Sequence, residues 1–206
     1  TAQWLSEDGR TLALASVSGP WLFVREWDVP GCRVRRATML RAPQPLEPLL
    51  TARLAGSQLW LCTEKGDLLV LDLTGGEVVH FWNLRALLPE AETQELASVL
   101  LIPAARVAWL ASSTEDGVDR LFVVDVDRRR VSRELPHRRF VFPVAGERET
   151  RVVVEKPTET SVVVYHPRGS AIQQLATPSA VAEAAVAPQG ELLALVGDPL
   201  PEQDVA

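Results

Sequence analysis

Cysteine is scarce in this chain: Cys32 and Cys62 are the two among 206 residues. Cys32 lies in a Pro-Gly turn and Cys62 inside an apolar strand pattern. The pair reads as free thiols rather than a disulfide, which points to a reducing, cytoplasmic compartment. Histidine is scarce too. His80, His137 and His166 are scattered, and no Cys/His spacing of a metal site occurs. Lysine is confined to Lys65 and Lys156 among 21 basic residues, so arginine carries the positive charge. The net charge of −6 argues against broad nucleic-acid affinity, which needs a positive field. No apolar run approaches the roughly 18 residues of a membrane span. The first residues, Thr1 to Asp8, lack the charged and apolar regions of a signal peptide.

Catalytic motifs are missing as well. There is no Gly-x-Ser-x-Gly elbow, and no Gly-rich phosphate loop follows a strand. Ser112 and Ser113 have no base nearby in sequence. Nucleophilic catalysis therefore has no support, and the expectation is a chain without enzymatic activity and without a cofactor.

What the chain does hold is a core and a repeat. Hydrophobic residues make up 47% and charged residues 23%, an ordinary balance for a globular domain with a sizeable interior. The stretch Leu59 to Trp82 reads as strand, Gly turn, strand ending in Asp72, Gly turn, and strand ending in Trp82. Weaker copies recur. Aligned on the end of one strand per unit, Asp28, Asp72, Asp125 and His166 lie 44, 53 and 41 residues apart. An apolar strand precedes each anchor: Leu12 to Ala15, Leu59 to Cys62, Val107 to Ala111 and Val152 to Val154. Another follows: Arg33 to Thr38, Glu77 to Trp82, Arg130 to Glu134 and Ala171 to Leu175. Repeats of about 40 to 50 residues with four strands each are the pattern of propeller blades.

The expectation is thus an all-β chain of antiparallel four-stranded blades, an incomplete β-propeller of about four and a half blades. It is one domain over 1–206, with units over 1–42, 49–84, 98–136, 139–178 and 180–198. The last unit begins near Val181, with a turn at Pro188 to Gly190. Two segments break the pattern. Leu84 to Ala97 is rich in helix formers, with acidic residues after Pro89, and predicts a short helix over 86–97. Ala42 to Pro48 is Pro-rich and reads as a stiff surface linker.

Ser6 to Ala13 with Trp27-Asp28-Val29 resembles a WD40 repeat. Leu59 to Trp82 resembles the quinoprotein (PQQ-type) repeat more closely, in which a strand, Asp-x-x-Thr-Gly and a closing Trp recur. The resemblance implies a propeller and, for WD40-like modules, a protein-interaction scaffold. The partners expected are other protein chains or domains that complete the ring. The quinoprotein side implies an alternative: a quinone- or sugar-binding propeller enzyme working in the central channel, which also needs calcium and a catalytic Asp.

Three features invite a sharper chemistry. Asp125 and Asp127 flank Val126 and would share a strand face, as cation ligands or as turn starters. Glu115 to Asp119 reads as a hairpin tip. Arg128, Arg129, Arg130, Arg133, His137, Arg138 and Arg139 form the densest basic cluster. Of these, Arg128, Arg129, Arg130, Arg138 and Arg139 are the expected contact patch for an acidic partner. The six tryptophans are expected to wedge between neighbouring sheets.

Overall fold

The computed structural model describes residues 2–5, 9–89, 94–114, 119–136, 139–145, 150–156, 161–177, 181–186 and 193–197. Among the described residues, eighteen strands lie in chain order and form five antiparallel sheets. The first sheet holds β1 (Ala2–Leu5), β2 (Thr11–Ser18), β3 (Trp21–Asp28) and β4 (Arg33–Arg41). The second holds β5 (Leu49–Ala55), β6 (Gln58–Thr63), β7 (Asp67–Asp72) and β8 (Glu77–Asn83). The third holds β9 (Gln94–Ile102), β10 (Val107–Thr114), β11 (Asp119–Asp125) and β12 (Arg130–Pro136). The fourth holds β13 (Arg139–Ala145), β14 (Thr150–Lys156), β15 (Ser161–Tyr165) and β16 (Ala171–Ala176). The fifth pairs β17 (Val181–Val186) with β18 (Leu193–Gly197).

Within every four-stranded sheet the strands pair in sequence order, so each is a simple meander. First strands lie beside first strands: β1 against β5, β5 against β9, and β13 against β17. The four-stranded sheets then stack face to face. This is the architecture of β-propeller blades, with about four and a half in the chain.

The apolar patterns follow from that stacking. Leu59, Leu61, Leu69 and Leu71 face the first sheet, where Ala15, Leu22, Val24 and Leu40 meet them. The alternate residues Trp60, Cys62, Leu68 and Val70 face the third sheet and meet Leu101, Ala108, Leu110 and Phe122. Trp109, Leu121 and Val123, on the far side of the third sheet, meet Val152, Val163 and Tyr165. A sheet covered on both faces needs apolar residues at every position. That is why β6 and β7 read as continuous apolar runs rather than as alternation. The fourth strands stay largely exposed, as in β4 and β16.

Each hairpin between third and fourth strands is built alike. The register slips at Glu26/Trp27, Val70/Leu71, Val123/Val124 and Val164/Tyr165, always just before the anchor residue. A left-handed residue follows in the turn: Cys32 (φ 48°), Gly76 (φ 69°), Arg129 (φ 51°) and Gly169 (φ 89°). The anchor Asp starts the turn with its side chain. Asp72 Oδ1 accepts the Thr74 N–H at 2.9 Å, and Asp125 Oδ1 accepts the Arg128 N–H at 3.0 Å.

Three expectations need correction. The helix over 86–97 is absent among the described residues. Arg85–Leu87 form one turn of 3-10 helix, and β9 begins at Gln94. Leu84 and Leu88 are drawn into the core between the second and third sheets, and Gln94, Glu95 and Leu96 pair with β10, so tertiary packing overrides helix propensity. The Pro-rich link is only partly a surface linker. Ala42 and Leu46 are buried in the first core cluster, and their N–H groups bond to Pro20 and Gly19 carbonyls. The tryptophans also divide. Trp60 and Trp109 are fully buried between sheets, whereas Trp21 is 39% exposed.

The repeated left-handed turn position is testable. Nothing lies within 4 Å of a Cβ built on Gly76, so Gly76→Ala should cost only its backbone strain, about 1 kcal/mol. Arg129→Gly should be neutral or stabilising by up to about 1 kcal/mol. Urea unfolding midpoints of the two variants check both.

Candidate protein-interaction surface

Because every sheet is a meander, the turns after first and third strands share one rim. Hydrogen bonds between neighbouring sheets stitch that rim together. Arg36 of β4 donates through Nη1 to the Leu73 carbonyl of the second sheet. Trp109 Nε1 donates to the Pro167 carbonyl of the fourth sheet at 2.6 Å, while its ring meets Tyr165 edge-on at 5.7 Å. Leu73 and Pro167 each directly follow an anchor residue, so the same turn carbonyl accepts from the preceding sheet at two interfaces.

The interface between the second and third sheets uses Arg106 instead. This residue ends the turn Pro103–Ala105 in the left-handed region, at φ 59°. Its guanidinium lies 4.9 Å from the centre of the Trp60 ring, a cation–π contact at the edge of the core. Nη1 donates to Gln58 Oε1 at 3.2 Å, while Nε and Nη2 both donate to Asp127 Oδ1, at 3.0 and 2.8 Å. The Arg106 hydrogen bond holds the Asp127 carboxyl below its ordinary range. Partial burial opposes this, and the charges of Arg106, His80 and Arg168 add to it. The rim thus brings His80 of the second sheet and Arg168 of the fourth within electrostatic reach of one carboxylate.

This geometry decides between the two uses of the paired aspartates. Asp125 serves its turn and lies 3.7 Å from the Arg128 guanidinium, and Asp127 is held by Arg106. Both carboxylates already have cationic partners; the turn-starting role fits Asp125, whereas Asp127 lies in the turn beyond the end of β11 and so does not share its strand face. Among the described residues there is no cluster of three or more His, Cys, Asp or Glu side chains that could hold a metal. Most of the Glu115 to Asp119 tip lies outside the described residues.

The basic cluster is divided. Arg128, Arg129 and Arg130 come together, all exposed, on the turn from β11 to β12. Arg139 opens β13, beyond the far end of the seven-residue β12. A strand of that length places it about 20 Å from Arg130. Arg138 and His137 lie outside the described residues. Arg133 points elsewhere, donating to the Gly169 carbonyl at 2.7 Å. Arg168, exposed on the neighbouring turn, joins the three arginines on this rim. Sequence reading missed it because the turns it joins are about 40 residues apart. Its position two after the His166 anchor is the signal that could have found it.

The opposite rim has a different character. There Asp67 is buried, bonded through its N–H to Thr63 Oγ1 at 3.0 Å and through Oδ1 to Asn83 Nδ2 at 2.9 Å. Burial first, and the Asp67 charge second, push the Cys62 thiol up to about 12. Cys62 is therefore a neutral core side chain. Both cysteines are free, with Cys32 exposed. None of the described helices is long and apolar enough to cross a membrane.

Two outcomes follow. Iodoacetamide on the native protein should label Cys32 and spare Cys62, with Cys62 labelled only on unfolding. The Asp127 carboxyl is lowered by folding, so its contribution is present above the ordinary carboxylate range and is lost as pH falls through it, near pH 4 and below. The Asp127 side chain is 55% exposed, so the effect is small. The gap in unfolding midpoint between the native chain and Asp127→Asn should shrink over that window and stay constant in Arg106→Ala.

No family model matches the chain, and no curated protein matches it in sequence. Among solved structures it is similar to BamB from Moraxella catarrhalis, at 16% identity and a TM-score of 0.49. That similarity covers 91% of this chain and 52% of the other, so the chain spans about half the length of that structure.

Proposed function

We propose that this chain is a non-catalytic β-propeller scaffold that binds other proteins as part of a larger assembly in the cytoplasm. The observation that carries the proposal is the turn from β11 to β12. It presents Arg128, Arg129 and Arg130 side by side and exposed, in a chain whose net charge is −6. Asp125 fixes the backbone of that turn through the Arg128 N–H, and the Arg106–Asp127 pair braces it from below. Arg168 extends the positive rim across to the next sheet. A rigid turn with projecting guanidiniums suits carboxylate-rich protein surfaces, because the planar fork of Arg pairs with carboxylates in a fixed geometry. Arg139 is left out of this surface because β12 separates it from the other three. No cofactor is part of the proposal, since the carboxylates of this rim are engaged within the protein.

The test is charge reversal. A variant carrying Arg128→Glu, Arg129→Glu and Arg130→Glu should keep its unfolding midpoint and lose about tenfold or more in affinity for the proteins that co-purify with the native chain at low salt. Unchanged co-purification overturns the assignment of this rim. A rise in melting temperature with calcium or a quinone would favour an enzyme instead, because a bound ligand stabilises the native state by mass action.

A further inference from the structure

The side of each sheet that faces its predecessor is built from the same register positions. Leu59 pairs with Leu71, Ala108 with Val124, and Val152 with Tyr165. Two residues further in, Leu61 pairs with Leu69 and Leu110 with Phe122. All of these are buried against the preceding sheet. The matching positions in the first sheet are Leu12 with Trp27 and Leu14 with Arg25. There they are only half-buried, and Arg25 is exposed. The same face continues outward through Trp21 and Phe23, each 39% exposed, to Met39, 58% exposed, opposite Phe23 on β4.

Its chemistry differs from that of the internal interfaces. Arg25 stands where the next two sheets place Leu69 and Phe122. Arg41 lies over the Trp21 ring at 5.9 Å. No carboxylate shares this face among the described residues. An apolar centre of Trp, Phe and Met beside guanidiniums is the make-up of a surface that meets another protein, where these residue types are enriched. A second copy docking through the same face would bring arginine towards arginine across a self-complementary contact. An apolar sheet without acids would leave Arg25 buried and unpaired.

We propose that this face of the first sheet is the seat of an antiparallel β-sheet of a partner protein. That sheet presents apolar side chains to Trp21, Phe23 and Met39 and a carboxylate to Arg25. The proposal rests on the scaffold reading but uses a different surface from the arginine rim.

Met39 is the single methionine of the chain, so its oxidation by peroxide reports on this face alone. Its rate is compared in the isolated 206-residue chain and in the protein purified with its partners from its own cells. Oxidation slower by about tenfold in the assembly is expected, restored by Arg25→Glu and not by Arg25→Lys, with melting temperature confirming that both variants fold. Cross-links from Ser16→Cys, in a Cys32→Ser background, should reach partner residues two apart along the chain, the spacing of one strand face. Equal oxidation rates with co-purifying proteins present overturn this proposal and leave the scaffold reading standing. Equal rates with no co-purifying protein overturn both. Protection that grows with concentration of the isolated chain marks a second copy. Links three to four residues apart mark a helix, and links confined to the same polypeptide mark an internal sheet. Each of these three outcomes overturns the proposal.

Discussion

Every four-stranded sheet in this chain depends on the sheet beside it. A four-stranded meander with two apolar faces cannot stand in water by itself, because burial of those faces is the main favourable contribution to its folding. Leu69 and Val70 are adjacent in sequence and point to opposite sides, yet both are fully buried. That is possible only because the first and third sheets close on the second from either side. The tight packing of Trp60 and Trp109 between sheets, the continuous apolar runs and the exposed fourth strands all follow from this one constraint.

The constraint also places the polar groups. A stack of faces leaves hydrogen bonding to the rims, where turns of neighbouring sheets come into reach. Arg36, Arg106 and Trp109 each carry a donor across an interface or brace one. The side chains that hold the rim together are therefore distinct from those that project from it. Arg106 is spent on Asp127 and Trp60, whereas Arg129 and Arg130 project into solvent. A repeated bulge before each anchor sets where those projecting residues begin, since it fixes how the fourth strand leaves the turn.

Much of this was legible in the sequence. The anchors Asp28, Asp72, Asp125 and His166 mark the repeat because short-range turn chemistry demands Asp and Gly at set positions, and β6 and β7 show their double burial as unbroken apolar runs. What was hidden depends on neighbours in space. The segment after Leu84 has helix-forming composition but gives its leucines to the core and its later residues to β9. The basic cluster looked continuous from Arg128 to Arg139 because sequence distance ignores the length of β12. Arg168 escaped notice because only the stacking brings its turn beside Asp127, and Arg106 because the pairing of β10 with β11 sets its turn beside Asp127. Likewise the open face of the first sheet looks like any apolar strand pair until it is set against its counterparts in the later sheets.

The dependence of each sheet on its neighbours can be read amide by amide. Native-state hydrogen exchange separates groups that open locally from those that open only with the whole domain. If face-to-face stacking holds the chain together, amides of β6, β7, β10 and β11 should exchange only through global unfolding, at one common free energy. Amides of β4 and β16 should exchange through smaller, local openings. A β4 protected as strongly as β6, or a second sheet that opens independently of the first and third, would contradict the account.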